Sequence, residues 1–196
     1  MKLFVATKNK HKLREIKEIL DGIEVCSVYD VVDSSIDVEE TGVTFVENAS
    51  LKAKTLSKLV DGYVIADDSG ISVDALDGAP GVYSARFAGE GATDSMNNEK
   101  LMEIMKPFPA EECTASYVCV IALAEKGLVE RTFSGLCEGF VAKEYKGENG
   151  FGYDPMFALP DGRHMAELKE EEKNRISHRH MALQGLAEYL KAKTEE

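Results

Sequence analysis

Four cysteines, Cys26, Cys113, Cys119 and Cys137, are all the sequence contains, and none forms a C-x-x-C pair or stands at ligand spacing from the four histidines. That argues against a zinc site and against a disulfide framework, and leaves the thiols to read as buried and reduced. Long apolar runs are missing too. The opening MKLFVATKNK turns basic after a short apolar stretch, too brief for a secretory signal or a membrane span, so the chain reads as cytoplasmic with no membrane partner. Positive charge is scarce overall: 23 Lys and Arg face 35 Asp and Glu, a net charge of -12. Such a surface repels a nucleic-acid backbone and excludes a broad nucleic-acid-binding face. There is no G-x-x-x-x-G-K-[ST] loop, internal repeat, low-complexity tract or flexible linker. With 196 residues and 44% apolar content, residues 1–196 can bury one substantial core and read as a single domain.

Against the acidic background, residues 2–17 concentrate Lys2, Lys8, Lys10, Lys12, Arg14 and Lys17 around one acid, Glu15. A small polyanion focused into one place suits that asymmetry. The same region reads as strand, loop, helix: LFVA (3–6) is a short buried strand, and Leu13, Ile16, Ile19 and Leu20 recur at helical spacing until Asp21-Gly22. Thr44-Phe45-Val46-Glu47 fits a capping box before the helical stripe Ala49, Ala53, Leu56, Val60. YVIA (63–66) predicts a strand that DDSG breaks, with ISVDAL (71–76) as a further strand. The Gly- and Pro-rich segment 77–93 predicts a long surface loop, and a helix follows from about Asp94 to Met105, stopped at Pro107. ASYVCVIALAE and LVERTFSGLCEGFVA flank Lys126-Gly127 as a long hairpin. A short strand over Met156–Leu159 and a last helix from Ser177, striped by Leu183, Leu186, Ala187 and Leu190, complete the chain. Alternating helices and strands with a central hairpin give an α/β or α+β class with a mixed sheet.

Several stretches carry groups suited to phosphate and metal chemistry. T-K-N-K-H-K (7–12) sits where a strand hands over to a helix, offering free backbone N–H groups and the positive dipole end to a phosphate, with Thr7, Asn9 and Lys12 adding a hydroxyl, an amide and an ammonium. Taken alone it also fits a solvated, Lys-rich helix start capped by Asn9. Asn48 and Lys52 lie one helical turn apart. Glu47 is accounted for by the capping box; Glu40 lies ahead of the helix, either as a surface acid or facing a metal. Asp67 and Asp68 stand at the end of a strand, where α/β proteins bind ligands. Adjacent residues of an extended chain point to opposite sides, so Asp68 can face a ligand while Asp67 supports it. Mg²⁺ takes one or two carboxylates plus substrate phosphates, and Glu40 with Asp68 supplies that pair; an Asx-type turn is the plainer reading of the same residues. F-G-Y-D-P (151–155) can stack a flat ring on Phe151 while the backbone and Asp154 meet its polar edge, or can be an ordinary aromatic turn. Ser177 reads as a helix N-cap, with His178 and Arg179 in a first turn where cations oppose the dipole. They would there seek an outside acceptor, such as the O6 and N7 of a 6-oxopurine, or form a solvated basic turn.

In order along the chain stand T-x-N-x-x-K, E-x-T-G-x-T-F-x-E-N-A-x-x-K, A-D-D-S-G, G-A-P-G-x-Y-S-A-R, F-G-Y-D-P and S-H-R. This series resembles the inosine triphosphate pyrophosphatase family. The resemblance implies an α/β fold, a long twisted mixed sheet with flanking helices and two lobes around a cleft, and a homodimer. It implies Mg²⁺-dependent hydrolysis of ITP, dITP, XTP and dXTP to the monophosphate and pyrophosphate. Carried onto this sequence, Thr7, Lys8, Asn9, Lys10, His11, Lys12 and Lys52 hold the triphosphate, Glu40 and Asp68 bind Mg²⁺, and Asp68 accepts a proton. Ser69 lies beside the substrate, while Phe151, Gly152, Tyr153, Asp154, Lys173, His178 and Arg179 enclose the base and sugar-phosphate. Glu47 and Asp67 are implied as acids near the metal. Two rivals share parts of the pattern. A septum-inhibitor-type nucleotide pyrophosphatase would lack S-H-R and F-G-Y-D-P, and a nucleotide-sensing module would not need Glu40 and Asp68.

Overall fold

The computed structural model describes residues 2–194. Its elements are β1 (Lys2–Val5), α1 (Lys10–Ile19), β2 (Glu24–Ser27), α2 (Phe45–Leu56), β3 (Tyr63–Val73), α3 (Asp94–Met105), β4 (Thr114–Glu125), β5 (Leu128–Val141), β6 (Phe157–Ala158), α4 (Glu170–Ile176) and α5 (His178–Thr194). The strands form one sheet of order β2-β1-β3-β4-β5-β6. β1 is parallel to β2 and β3, and β6 is antiparallel to β5, so the sheet is mixed and the class is α/β. The Lys126-Gly127 turn joins β4 to β5 with both residues at positive φ, 49° and 79°, the backbone twist that a two-residue hairpin loop requires. Among the described residues, no helix is long and apolar enough to cross a membrane.

One element corrects the sequence reading. Asp67–Gly70 does not break the strand: β3 runs from Tyr63 to Val73 without interruption. The apolar pattern lapses at Asp67, which meets the charged partners Lys12 and Arg179, and at its neighbour Asp68, while the backbone stays extended. Gly70 is present for room, since a Cβ there would lie 2.5 Å from the Gly81 carbonyl oxygen and 2.9 Å from Ser84 Cβ. Ser84 is buried and accepts the Ile71 N–H at 2.9 Å, fixing the segment after β3 against the strand. Replacing Gly70 by Ala is therefore expected to destabilise the protein by about 1–3 kcal/mol, as overpacking does. A denaturant midpoint unchanged from wild type would show that the backbone relaxes around the methyl group.

The chain divides into two compact units. One comprises Met1–Asp68, Cys119–Gly135 and Arg179–Glu196; the other comprises Ser69–Val118 and Leu136–His178. In the first, alternation along the strands sorts the core into two faces. Leu3, Val5, Ile65, Cys119, Ile121 and Leu123 pack with Ile16 and Leu20 of α1 and with Leu183, Leu186 and Leu190 of α5. Phe4, Ala6, Val64, Ala66, Val120 and Ala122 pack with Ala49, Ala53 and Leu56 of α2. The period of two residues thus sends odd positions of β3 toward α1 and α5, and even positions toward α2. The second unit has its own core, in which Ile71, Val73, Tyr117, Cys137 and Phe157 surround Leu101 and Met105 of α3.

Candidate active site

Asp67 follows the odd series of β3 and Asp68 the even one, so the two carboxylates meet different surroundings. Asp67 is buried, and its Oδ1 accepts the Lys12 ammonium of α1 at 2.6 Å. Its Oδ2 accepts Arg179 Nε of α5 at 2.8 Å and the Cys119 thiol of β4 at 3.1 Å. Arg179, 1% exposed, also pairs through Nη1 with the buried Glu15 carboxylate of α1. Two cations and two anions therefore lock α1, β3 and α5 together. Burial works against ionisation of Asp67, but the Arg179 and Lys12 charges outweigh it and hold the carboxyl well below its usual range. Burial and the Asp67 carboxylate beside it push the Cys119 thiol up, so that it stays a neutral donor.

Asp68 is in the opposite condition. It is buried, and its Oδ2 accepts no hydrogen bond from the described residues. Burial, with the Glu40 carboxylate next, pushes its pKa up to about 6, against the opposing influence of Lys12 and the Asn48 amide. Lys52 of α2 pairs with Glu40. Asn48, one helical turn before Lys52, is fully buried and accepts the Gly42 N–H at 2.7 Å, tying the segment that carries Glu40 to α2. Glu47 caps α2, accepting the N–H groups of Val43 and Thr44 at 2.7 and 3.2 Å. Among the described residues, no three His, Cys, Asp or Glu side chains are arranged to hold a metal ion. Two carboxylates, one with a buried oxygen that accepts no hydrogen bond from the described residues, do fit an oxygen-seeking dication that completes its shell from substrate phosphates.

At the start of α1, Asn9 is the N-cap, its side-chain oxygen accepting the N–H groups of His11 and Lys12 at 2.9 and 3.2 Å. Asn9 N–H in turn donates to Thr7 Oγ1 at 3.1 Å. The capping alternative is thus realised, and two N–H groups of the first turn are satisfied internally. Lys8 is exposed and within 3.4 Å of Asp37, while Lys10 and His11 are exposed on the first turn.

Of the residues assigned to the substrate, Ser69, Phe151–Asp154, Lys173 and His178 belong to the second unit. Asp154 is buried there; its Oδ2 accepts Lys173 Nζ at 2.7 Å and the Phe151 N–H at 3.0 Å. The Lys173 ammonium lies 4.5 Å from the centroid of the Phe151 ring, in cation–π range. Gly152 is held from α3, donating to Asp94 at 2.7 Å and accepting from Asn98 at 3.0 Å. A cavity of about 370 Å³ opens beside this loop, with Asp94, Asn98, Tyr145 and Phe151 among its walls. The sequence pairs His178 with Arg179 and offers both an outside acceptor. The structure separates them: Arg179 is engaged by Glu15 and Asp67, whereas His178 stacks on Tyr117 in the core of the second unit, ring centroids 4.8 Å apart and planes 16° apart.

Glu15, Asp94, Asn98 and Tyr117 were invisible as site residues in the sequence. A signal existed for one of them: Asn97-Asn98 lies in the middle of a helix, where asparagine is a poor former. Both residues are buried and both bond loop backbone, Asn97 that of Ala85 and Ala88.

A mixed α/β fold with a carboxylate pair split across one strand, flanked by lysines on two helices, is the framework of a phosphate-handling enzyme. The chain belongs to the Ham1 family, whose sequence profile matches residues 3–189. It is 47% identical over 193 residues to the dITP/XTP pyrophosphatase of Oceanobacillus iheyensis, covering 96% of this chain and 98% of that one. The dITP/XTP pyrophosphatase of Bacillus subtilis is 47% identical over 191 residues, with 96% of each chain covered. Among solved structures, the Staphylococcus aureus Ham1 protein superposes with a TM-score of 0.88 at 40% identity, over 98% of this chain and 100% of that chain.

Proposed function

We infer that this chain is a nucleoside triphosphate pyrophosphatase. It hydrolyses the non-standard purine nucleotides ITP, dITP, XTP and dXTP to the monophosphate and pyrophosphate, and so removes them before incorporation into nucleic acid. The observation that carries the reading is Asp68, a buried carboxylate whose Oδ2 accepts no hydrogen bond from the described residues, under the opposed influences of Glu40 and Lys12. Asp68 and Glu40 would hold Mg²⁺, which when bound withdraws charge from the phosphate oxygens. Lys12 and Lys52, with Thr7–His11 at the start of α1, take the triphosphate. Lys12 and Lys52 already sit against carboxylates, so their charge is held in place rather than searching through solvent.

In the reaction, a water oxygen bonds to the α-phosphorus as the bond to the bridging oxygen breaks and pyrophosphate departs. The water proton passes to a carboxylate oxygen. The resemblance gives that role to Asp68, whose carboxyl is pushed up to about 6 by burial and Glu40 while no metal is bound, and which a bound Mg²⁺ would bring down again. The base and sugar-phosphate are assigned to Phe151–Asp154, Lys173 and His178, with Ser69 beside the substrate. Phe151 is the stacking face, and the Asp154–Lys173 pair is the polar edge. A 6-oxo group accepts from a lysine ammonium or an imidazole N–H, whereas the 6-amino group of adenine is itself a donor and meets them donor to donor, a mismatch that costs about 1–3 kcal/mol. Arg179, engaged with Asp67 and Glu15, contributes by fixing Asp67 and Lys12, and the family resemblance extends its role to the base. The same reading has the enzyme work in the cytoplasm as a homodimer, with Mg²⁺ as its cofactor and no nucleic acid as partner.

The test is incubation with dITP, XTP, dGTP and dATP, each with Mg²⁺ and with EDTA, and separation of the products by ion exchange. Monophosphate and pyrophosphate from dITP and XTP, dependent on Mg²⁺, are expected. Diphosphate and phosphate as products, or intact nucleotide throughout, would overturn the reading.

A further inference from the structure

In the second unit, one side chain touches both elements assigned to the base, and the site motifs do not include it. Tyr117 of β4 is 6% exposed. Its hydroxyl donates to Asp154 Oδ1 at 2.9 Å, the oxygen of Asp154 opposite the one that accepts Lys173 and the Phe151 N–H. Its ring packs against Phe157, with centroids 4.3 Å apart, and against His178, at 4.8 Å and nearly parallel. Asp154 thus has both oxygens fixed: one by a neutral phenol, the other by the cation and backbone of the base loop. Burial and the neighbouring Asp154 keep the phenol protonated far above neutrality, so its O–H is there to donate to the Asp154 carboxylate.

We propose that Tyr117 is the positioning residue of base recognition, with its hydroxyl orienting Asp154, and through it Phe151 and Lys173, while its ring sets the plane of His178. This rests on the assignment of the base to that loop. The contacts of Tyr117 with Asp154 and His178 are to residues assigned to the base and sugar-phosphate, and among the described residues it makes none with those assigned to the triphosphate, so its removal should act at the nucleoside end and leave the triphosphate alone. A buried hydrogen bond to a charged group is worth enough to change an affinity about tenfold. Tyr117→Phe keeps the stacking and loses only the hydroxyl; Tyr117→Leu loses both.

The experiment measures competitive inhibition of dITP hydrolysis by inosine monophosphate and, separately, by inorganic tripolyphosphate, which has no base. For Tyr117→Phe the inhibition constant of inosine monophosphate is expected to rise about tenfold, with a matching rise in KM for dITP and kcat within about twofold. Inhibition by tripolyphosphate is expected to stay as in wild type. Tyr117→Leu should widen the first effect; should it fail to fold, Tyr117→Phe carries the test. Val141→Ala, a truncation in the same core, is the control for lost stability and should lower Tm without moving either inhibition constant. Unchanged inosine monophosphate inhibition in Tyr117→Phe, or equal loss of both inhibitors, reduces Tyr117 to a packing residue. A wild-type enzyme inhibited by tripolyphosphate and indifferent to inosine monophosphate would instead displace the base from this loop, and the proposal with it.

Discussion

Asp68→Asn is expected to abolish turnover and, in the absence of metal, to make the protein more stable. The loss should be at least about 10³-fold in kcat, because a metal-holding carboxylate and the candidate base disappear together. The gain follows from the raised pKa. Folding carries Asp68 from an ordinary carboxyl near 3.8 to about 6, so the folded state favours the protonated form. The cost of ionisation is absent below about pH 4, grows as pH rises to 6 and is complete above it. A rise of that size corresponds to at most about 3 kcal/mol at pH 7, and asparagine removes the charge while keeping the shape. For a chain of this length that is a rise in Tm of about 5–10 °C in EDTA, shrinking to nothing at pH 4. Excess Mg²⁺ should narrow or reverse the difference, since wild type gains by binding it and the variant does not. Near-wild-type turnover would sink the assignment of Asp68. An unchanged melt in EDTA would mean that the ionised carboxylate is better solvated than its burial indicates.

Asp67→Asn should do the reverse to stability. Removing this charge takes from Arg179, 1% exposed, one of the carboxylates that neutralise it, and deprives Lys12 of its anion. Breaking one partner of a buried pair costs about 3–5 kcal/mol, so the variant should melt at least about 6 °C lower at neutral pH. The pH profile supplies the sign. Asp67 is held well below its usual value, so its stabilisation is fully present above pH 4 and is lost as pH falls through the low folded value. Wild type should therefore show a steep acid limb, and Asp67→Asn a shallower one, in urea unfolding between pH 2.5 and 5. Parallel acid limbs in the two proteins would mean that the cluster contributes little, as a buried ion pair sometimes does.

The opposed fates of these neighbours were partly legible in the sequence. Extended-chain alternation alone says that Asp67 and Asp68 diverge, and the capping box alone places Glu47 on backbone N–H groups. The continuity of β3 was not legible, because two acids and a glycine look like a turn until the partners that neutralise them are known. Those partners are remote: Asp67 is separated from Lys12 by 55 positions and from Arg179 by 112, and Glu15, which shares Arg179 with it, is the one acid in a basic stretch and looks like a solvated residue of α1. Tyr117 hides for a related reason. An aromatic residue in an alternating strand is the expected core residue, and only the three-dimensional neighbours of its hydroxyl and ring set it apart. The helix α4 and strand β2 are seven and four residues long, too short for periodicity to separate from noise.

The alternation of β3 also limits how this protein can change over time. Each carboxylate receives its duty from the parity of its position, counted from where β3 pairs with β1 at Tyr63 and Val64. A single codon gained or lost between there and Asp67 would exchange the two surroundings, sending the acid that pairs with Arg179 toward α2 and the acid beside Glu40 toward α1. No residue need be altered for both duties to be lost. Substitutions can be sampled one at a time along this strand, but length cannot. Chain-length variation in descendants of this sequence should therefore stay out of this strand, and the interval from Tyr63 to Asp68 should keep its count.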